Sequence, residues 1–306
     1  MTKNPAEAKR ALRRVLIVSK KTAYQMEVLD CQDEHQAKLL AEGNPAIARL
    51  EQAHRDHLAS LAVIIERVRE RGIELESVDR TEMPADMSKF DLIISVGGDG
   101  TFLGCSHVIR DVPVVGVNSA VGSSHGHWCV ANKDTFGQVL DEIQAGSRSP
   151  LALMRLEVAV NGETLPTPVL NEVFIAHPSP AGTSRFLLVV GGKREEMRSS
   201  GILIGPGVGS TGWMRSAGGV VLPATSRQFQ YLVREPSVWP GETRELLKGV
   251  LEASEEVKVV PIMAEGKVFI DGQHLSHDVK RGDEVVVGVH AHDLIAYLSA
   301  DANAAY

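Results

Sequence analysis

"DLIISVGGDGTFL" (residues 91–103) decides how the first half of this chain is read. Residues 92–96 are apolar except for Ser95, and the run then breaks into Gly97, Gly98, Asp99, Gly100 and Thr101. A short apolar run ending in glycines fits a strand buried on both faces, and the residues after it open a helix. Ligands of open α/β sheets bind at the carboxyl ends of strands. Glycines there let main-chain N–H groups approach phosphate oxygens, and the helix start adds a partial positive charge. Gly98 is expected to take a positive φ and to exclude a branched side chain. Asp99 is the anomaly, because a carboxylate repels phosphate. Two jobs are open to it: accepting a proton from an attacking hydroxyl, or helping to hold a Mg²⁺ that screens the phosphates. Either makes it the acid of a phosphoryl transfer. A hairpin turn at Asp-Gly competes, but the flanks lack the alternation a hairpin wants. The loop alone does not choose among nucleotide, sugar and lipid kinases.

Working outward, strands and helices alternate. "RVLIVS" (14–19) reads as a buried strand, and a polar helix is expected between Tyr24 and Ala41. The next segment is the clearest helix, with Asn44 as cap, Pro45 in the first position and Gly72 at the end. Ile47, Leu50, Leu58, Leu61, Ile65 and Val68 are expected to form its buried stripe. Strands at 73–78, 91–96 and 112–117 follow, with helices from about Thr101 and at 134–145. This rhythm predicts a parallel sheet covered by helices.

After Pro150 the rhythm changes to short strand-like runs, and this half reads as mainly β. The predicted division is an α/β domain over 1–148 that carries the glycine loop and a β-rich domain over 149–306, with the last strand free to return to the first. In "LNEVFI", Asn171 and Glu172 interrupt an apolar run. They are either a bulge or strand end, or a pair that hydrogen-bonds ribose hydroxyls or an amide. In "GVGSTGWMRSAGG", Ser210 or Thr211 can cap a short helix, and a capped helix start is also a phosphate site. "FIDGQHL" reads as a structural hairpin turned at Asp271-Gly272. "HGHWC" sets His125, His127 and Cys129 at alternate positions. With no second cluster of matching spacing, an irregular loop is preferred to a metal site, and no metal-ligating residue is assigned.

The 306 residues are 43% hydrophobic, enough for one large or two ordinary domains. The net charge of −7, with both signs interspersed, gives no reason to expect nucleic-acid or anionic-membrane binding. Cys31, Cys105 and Cys129 are few and dispersed, which suggests free thiols in a reducing, cytoplasmic setting. The basic, alanine-rich start lacks an apolar signal core but also fits the beginning of an organelle address. No run approaches 18 apolar residues, so no membrane span is expected.

Taken together, Gly97–Gly100, Asn171–Glu172, Gly209–Thr211 and Ser216–Gly219 resemble the NAD kinase family, whose GGDG, Asn-Glu and Gly-Ser-Thr motifs come in this order. The resemblance runs from about residue 14 to 298. "GVNS", "GHWC", "RSSG", "STGWMRSAGG", "LVREP" and "IDGQ" are closer to the plant NADH kinase and mitochondrial NAD kinase branch. It implies an α/β domain joined to a β-rich domain, and transfer of phosphate from ATP with Mg²⁺ to the 2′-hydroxyl of the adenosine ribose of NAD or NADH. A homodimer or larger homo-oligomer is also implied. Asp99 would be the base; Gly97, Gly98, Gly100 and Thr101 would form the phosphate loop. Asn171 and Glu172 would bind the dinucleotide, with Ser200, Ser210, Thr211 and Trp213 beside it. The chain departs from the common pattern in three places. Ser200 stands where an aspartate precedes the glycine of a "DG" segment. Gly212-Trp213 replaces Ala-Tyr, and "SAVGSSHGHWCV" replaces a Leu-Gly-Phe segment. Two other readings share part of the pattern: a lipid or sugar kinase with the same loop, and a non-catalytic nucleotide-sensing protein.

Overall fold

In the computed structural model, which describes residues 12–30 and 34–299, the chain falls into two units. The first holds the described residues up to Leu151 together with Ile295–Ser299; the second holds Ala152–Leu294. The first unit is α/β and the second is made of antiparallel sheets, the class that the alternating and then strand-rich halves predict. Among the described residues no helix is long and apolar enough to cross a membrane.

The strands of the first unit are β1 (Arg14–Ser19), β2 (Glu74–Asp79), β3 (Leu92–Gly97), β4 (Val114–Asn118) and β5 (Cys129–Asn132). β1 pairs with β2 and β3, β3 with β4, and β4 with β5, all parallel. A late strand, Leu294–Tyr297, pairs in parallel with β4 through Ala296 and Tyr297. β3 is buried at all six positions and β4 at all five, as strands covered on both faces must be. The order β2-β1-β3-β4 reverses direction at β1, so the carboxyl ends of β1 and β3 flank a topological switch point.

The helices are α1 (Glu34–Ala41), α2 (Pro45–Glu70), α3 (Asp99–Ser106) and α4 (Phe136–Ala145). The polar helix expected over 24–41 is a short π-helical turn, Gln25–Leu29, followed by α1; residues 31–33, Cys31 among them, lie outside the described residues. So do residues 1–11, where an address segment would fall. α2 is capped as expected: Asn44 Oδ1 accepts from the Ala46 N–H at 2.9 Å, Pro45 opens the helix, and Gly72 follows it at φ +65°. Its buried stripe differs from the predicted one. Ile47, His57, Ser60, Ile64 and Val68 face inward, while Leu58 is 50% exposed. The middle of that stripe is polar because it reaches Ser119 at the end of β4. His57 Nδ1 lies 2.8 Å from Ser119 Oγ, and Ser60 Oγ donates to the Ser119 carbonyl at 2.9 Å. Apolar periodicity could not register a face that is buried through hydrogen bonds.

The second unit is two six-stranded antiparallel sheets packed face to face. Leu156, Val158, Phe186 and Leu188 of one meet Val173, Ile175, Ile202 and Ile204 of the other in a shared core. Within the second sheet Gly201 is held at φ +122°, where L side chains are strained. A Cβ there would lie 2.6 Å from the Phe174 ring and 2.8 Å from the Ile175 carbonyl oxygen. Gly201→Ala is therefore expected to cost at least about 2 kcal/mol, from overpacking and backbone strain together. The shift in the denaturant midpoint measures it; an unchanged midpoint contradicts the packing described.

Candidate functional site

At the glycine corner each residue is fixed by a different contact. Gly97 ends β3, and a Cβ on it would overlap Thr101 Oγ1 at 2.1 Å. Thr101 is fully buried, with no hydrogen-bond partner for its hydroxyl, so its side chain packs beneath the loop instead of facing a ligand. Gly98 has φ −120°, an extended backbone open to any residue, which corrects the expectation of a positive φ. It must be small because a Cβ would sit 2.4 Å from Ser124 Oγ. A Cβ on Gly100 would meet open space. In the first turn of α3 the Thr101 N–H donates to the Gly98 carbonyl at 3.0 Å, which leaves the Asp99 and Gly100 N–H groups available, as helix starts do, with no Gly98 side chain to cap them.

Asp99 stands in that first turn, half-buried. Its Oδ1 accepts the Trp128 N–H at 2.9 Å, and among the described residues Oδ2 makes no hydrogen bond. Trp128 is held by stacking on Phe102, with ring centroids 5.7 Å apart and planes 4° apart, and by the edge of His127 at 5.2 Å. The tryptophan of "HGHWC" thus orients the acid. His125 is exposed, and Cys129 is half-buried with its thiol pushed up to about 12, chiefly by burial and then by the Asp99 charge. The sequence held this signal, since Trp128 is the one large apolar residue in a polar loop.

In the second unit, Asn171 and Glu172 immediately precede the strand Val173–Ala176. Asp271 holds them. Its carboxylate accepts the N–H groups of Leu170 (3.0 Å), Asn171 (2.7 Å) and Glu172 (3.1 Å), and its own N–H donates to the Glu172 carbonyl at 2.9 Å. Asp271 does sit where Glu265–Ile270 turns into Leu275–Lys280, as expected of a hairpin, but its larger role is this clamp. Asn171 is only half-buried, and its side-chain N–H₂ donates to Glu172 Oε2. Glu172 is buried; burial first, then the Asp271 charge, pushes its carboxyl up to about 7 against the opposing bond from Asn171.

Gly209 packs under this corner, since a Cβ on it would lie 1.9 Å from the Asn171 carbonyl oxygen; one on Gly212 would lie 3.5 Å from Asn171 Oδ1. Ser210 is fully buried, and its Oγ donates to the Leu222 carbonyl at 3.1 Å and accepts the Leu222 N–H at 2.9 Å. It closes the loop, leaving half-buried Thr211 and Trp213, at 36% exposure, as the accessible members of the Gly-Ser-Thr segment. Trp213 packs on Phe174 at 4.8 Å, and the Arg234 guanidinium lies over both rings, at 5.0 and 5.5 Å. Ser200 is half-buried and donates its N–H to the Arg234 carbonyl at 3.0 Å. Asn171, Glu172, Gly209 and Gly212 therefore converge in this unit, as do Ser200, Trp213 and Arg234. Asp271 and Arg234 are the members that reading single motifs missed.

A family model described as "ATP-NAD kinase N-terminal domain" matches residues 8–147. The chain is 35% identical to a "Probable NADH kinase" of Oryza sativa subsp. japonica, over 81% of this chain and 83% of that one. It is 34% identical to an "NADH kinase" of Arabidopsis thaliana, over 84% and 88%. Against "NAD kinase 2, mitochondrial" of Rattus norvegicus the identity is 25%, over 83% and 71%. These relatives agree with the branch to which the "RSSG" and "STGWMRSAGG" segments pointed. Among solved structures, an NAD kinase from Archaeoglobus fulgidus in complex with ATP superposes with a TM-score of 0.67 at 21% identity, covering 95% of each chain. Yeast NADH kinase complexed with NADH gives 0.67 at 17% identity, over 97% and 89%. At these identities the likeness establishes the fold.

The burial of Glu172 has a measurable consequence. Its folded value of about 7 stands above the ordinary 4.5. Between those values the folded chain keeps a proton that the unfolded chain has lost, so stability falls as pH rises through that window. The loss is expected to reach about 3 kcal/mol above pH 8. Denaturant unfolding at pH 5 and pH 8 should show this fall in the wild type and much less of it in Glu172→Gln. Parallel profiles for the two proteins would contradict the assignment.

Proposed function

This chain belongs to the NAD kinase family, and we propose how its own residues carry that chemistry. The reaction is ATP-dependent phosphorylation of the 2′-hydroxyl of the adenosine ribose of NAD(H), giving NADP(H). The ribose oxygen attacks the γ-phosphorus, the bond to the ADP oxygen breaks, and the hydroxyl proton passes to Asp99. The observation that carries this is a carboxylate at a helix start, with one oxygen fixed by Trp128 and the other unpartnered. A base needs such a fixed orientation and a free lone pair. Phosphoryl transfer otherwise asks mainly for positioning and charge screening. The small residues at 97, 98 and 100 and the Asp99 and Gly100 N–H groups at the start of α3 offer the first, and the Mg²⁺ that arrives with ATP as part of the substrate would offer the second.

Asn171 and Glu172 bind the dinucleotide in this reading, with Thr211 and Trp213 beside it. The Asp271 clamp supports the assignment, because it presents the half-buried Asn171 side chain without leaving its backbone unpaired. Thr101 and Ser210 contribute by shaping the loops that carry them. A homo-oligomer belongs to the same proposal and rests on the family resemblance. A cytoplasmic location rests on the sparse, dispersed cysteines.

Asp99→Asn keeps an acceptor for the Trp128 N–H but cannot take the proton. It is expected to fold, to bind NADH as the wild type does, and to lose about 10²–10⁴-fold in kcat. NADH fluorescence titration and a coupled assay for NADP(H) read the two quantities. Near-normal turnover would sink the role.

NADH is expected to serve at least as well as NAD. By the family resemblance Ser200 lies toward the nicotinamide, where the common pattern has a carboxylate. Only the oxidised ring is positively charged. A carboxylate about 6 Å away at an effective dielectric near 20 favours it by up to roughly 3 kcal/mol before screening. Here the carboxylate is replaced by a neutral serine bonded to the backbone of Arg234, a cation, which supports the preference. Ser200→Asp should move the kcat/KM ratio toward NAD by about ten-fold, or about 1.4 kcal/mol. An unchanged ratio, or a wild type strongly preferring NAD, would refute it.

A further inference from the structure

The strand Val173–Ala176 begins at the Asn171–Glu172 corner and ends at His177, where the second unit has a pocket of about 600 Å³ that none of the assigned roles uses. Five steps of about 3.3 Å along the strand, or roughly 16 Å, separate Glu172 from His177. The pocket is lined by His177, Thr183, Arg185, Ile262, Met263 and Arg281. None of these is an acid, and the two arginines come from different elements. Arg185 is the second residue of the strand Ser184–Val190, and Arg281 follows the strand Leu275–Lys280.

One residue ties the arginines together. Ile262 donates its N–H to the Arg185 carbonyl at 2.8 Å, and its own carbonyl accepts from Arg281 Nε at 2.8 Å. The second bond orients the Arg281 guanidinium and leaves its terminal nitrogens unpartnered among the described residues. The Arg185 guanidinium makes no hydrogen bond or ion pair among them. Asp283, two positions beyond Arg281, is engaged elsewhere: it accepts from the Asn161 side chain at 2.9 Å and from the Lys280 N–H at 2.7 Å. Strand register adds to the positive charge, since Arg185 stands directly opposite Arg198, and like charges so placed repel. His177 is also set to donate. Its Nδ1 accepts the Ser179 N–H at 3.0 Å, so the neutral ring carries its proton on Nε2. Gly182 packs against that ring, where a Cβ would lie 2.1 Å from Nδ1.

Guanidinium groups donate and never accept, so this arrangement calls for an anion. A carboxylate is satisfied by one guanidinium fork. Donors arriving from a strand, a turn and a loop suit the several oxygens of a tetrahedral phosphate, for which arginine is well shaped. Buried Met263 and half-buried Ile262 supply an apolar wall. The volume falls within the ~300–1,000 Å³ of small-molecule pockets. We propose that this pocket binds a phosphate group, free or as the monoester of a small molecule. Arg185 and Arg281 are its cations, and His177 Nε2–H and the Thr183 hydroxyl are further donors. The proposal does not depend on the role given to Asp99.

The test is isothermal titration of the full chain with inorganic phosphate, phenyl phosphate and citrate, in wild type, Arg185→Met and Arg281→Met. Both arginines are exposed, so each variant is expected to fold with a Tm near that of wild type. Wild type should bind phosphate or its phenyl ester at least ten-fold more tightly than citrate. Each substitution should weaken that binding ten-fold or more and change the affinity for NADH less than two-fold. Tighter binding of phenyl phosphate would assign the site to an ester, and equal binding to free phosphate; either supports the pocket. Phosphate binding that is absent in wild type, or unchanged in either variant, overturns the proposal. Citrate bound as tightly as phosphate overturns it too, and so does an affinity for NADH that falls in step with that for phosphate.

Discussion

β3 runs parallel between β1 and β4, buried at every position. That constraint governs the first unit. A strand covered on both faces can expose polar backbone only where it ends, and its end must at once become a turn and a helix. The turn is tight, so Gly97 must yield to Thr101, Gly98 to Ser124, and β4 must send Ser119 back to donate its N–H to the Gly97 carbonyl at 2.9 Å. The corner is an obligatory product of the sheet. To that corner the sequence adds one acid, Asp99, and, just past the end of the neighbouring strand, one lysine, Lys20.

The second unit solves a different problem. Its two sheets pack face to face, and the Asn171–Glu172 corner is irregular backbone at the head of a strand, not a helix start. Such backbone carries N–H groups that no ladder satisfies. Asp271 accepts three of them with one carboxylate. Charge-assisted bonds of this kind are among the stronger ones, and they fix the direction in which Asn171 leaves the strand. The same carboxylate raises the cost of ionising Glu172. Structural support and electrostatic tuning of the pair are therefore a single feature.

What the sequence disclosed and withheld follows from which interactions have a local signature. The strands around "DLIISVGG" were legible because both-face burial writes a continuous apolar run. The ends of α2 were legible because Asn44, Pro45 and Gly72 act within one turn of themselves. The buried face of α2 was not, because His57 and Ser60 are buried by bonds to Ser119, about sixty residues away. Gly98 was identified as necessary for the wrong reason: its backbone is ordinary, and the steric demand comes from Ser124 in a distant loop. Asn171 and Glu172 were visible as polar residues in an apolar run. Asp271, a hundred positions on, looked like a turn residue because its carboxylate acts only through the fold.

The charges answer the question that Asp99 raises. An acid beside a phosphate site is tolerable when cations lie close enough to offset it and when its own position is not free to relax toward them. Here Trp128, held by Phe102, donates its N–H to Asp99 and fixes that carboxylate, which among the described residues forms no ion pair with Lys20 or Arg80. Among the described residues Lys20 has no ion pair, and Arg80 donates to the Gly100 carbonyl. The stacked tryptophan thus belongs to the build of this corner as much as its glycines do.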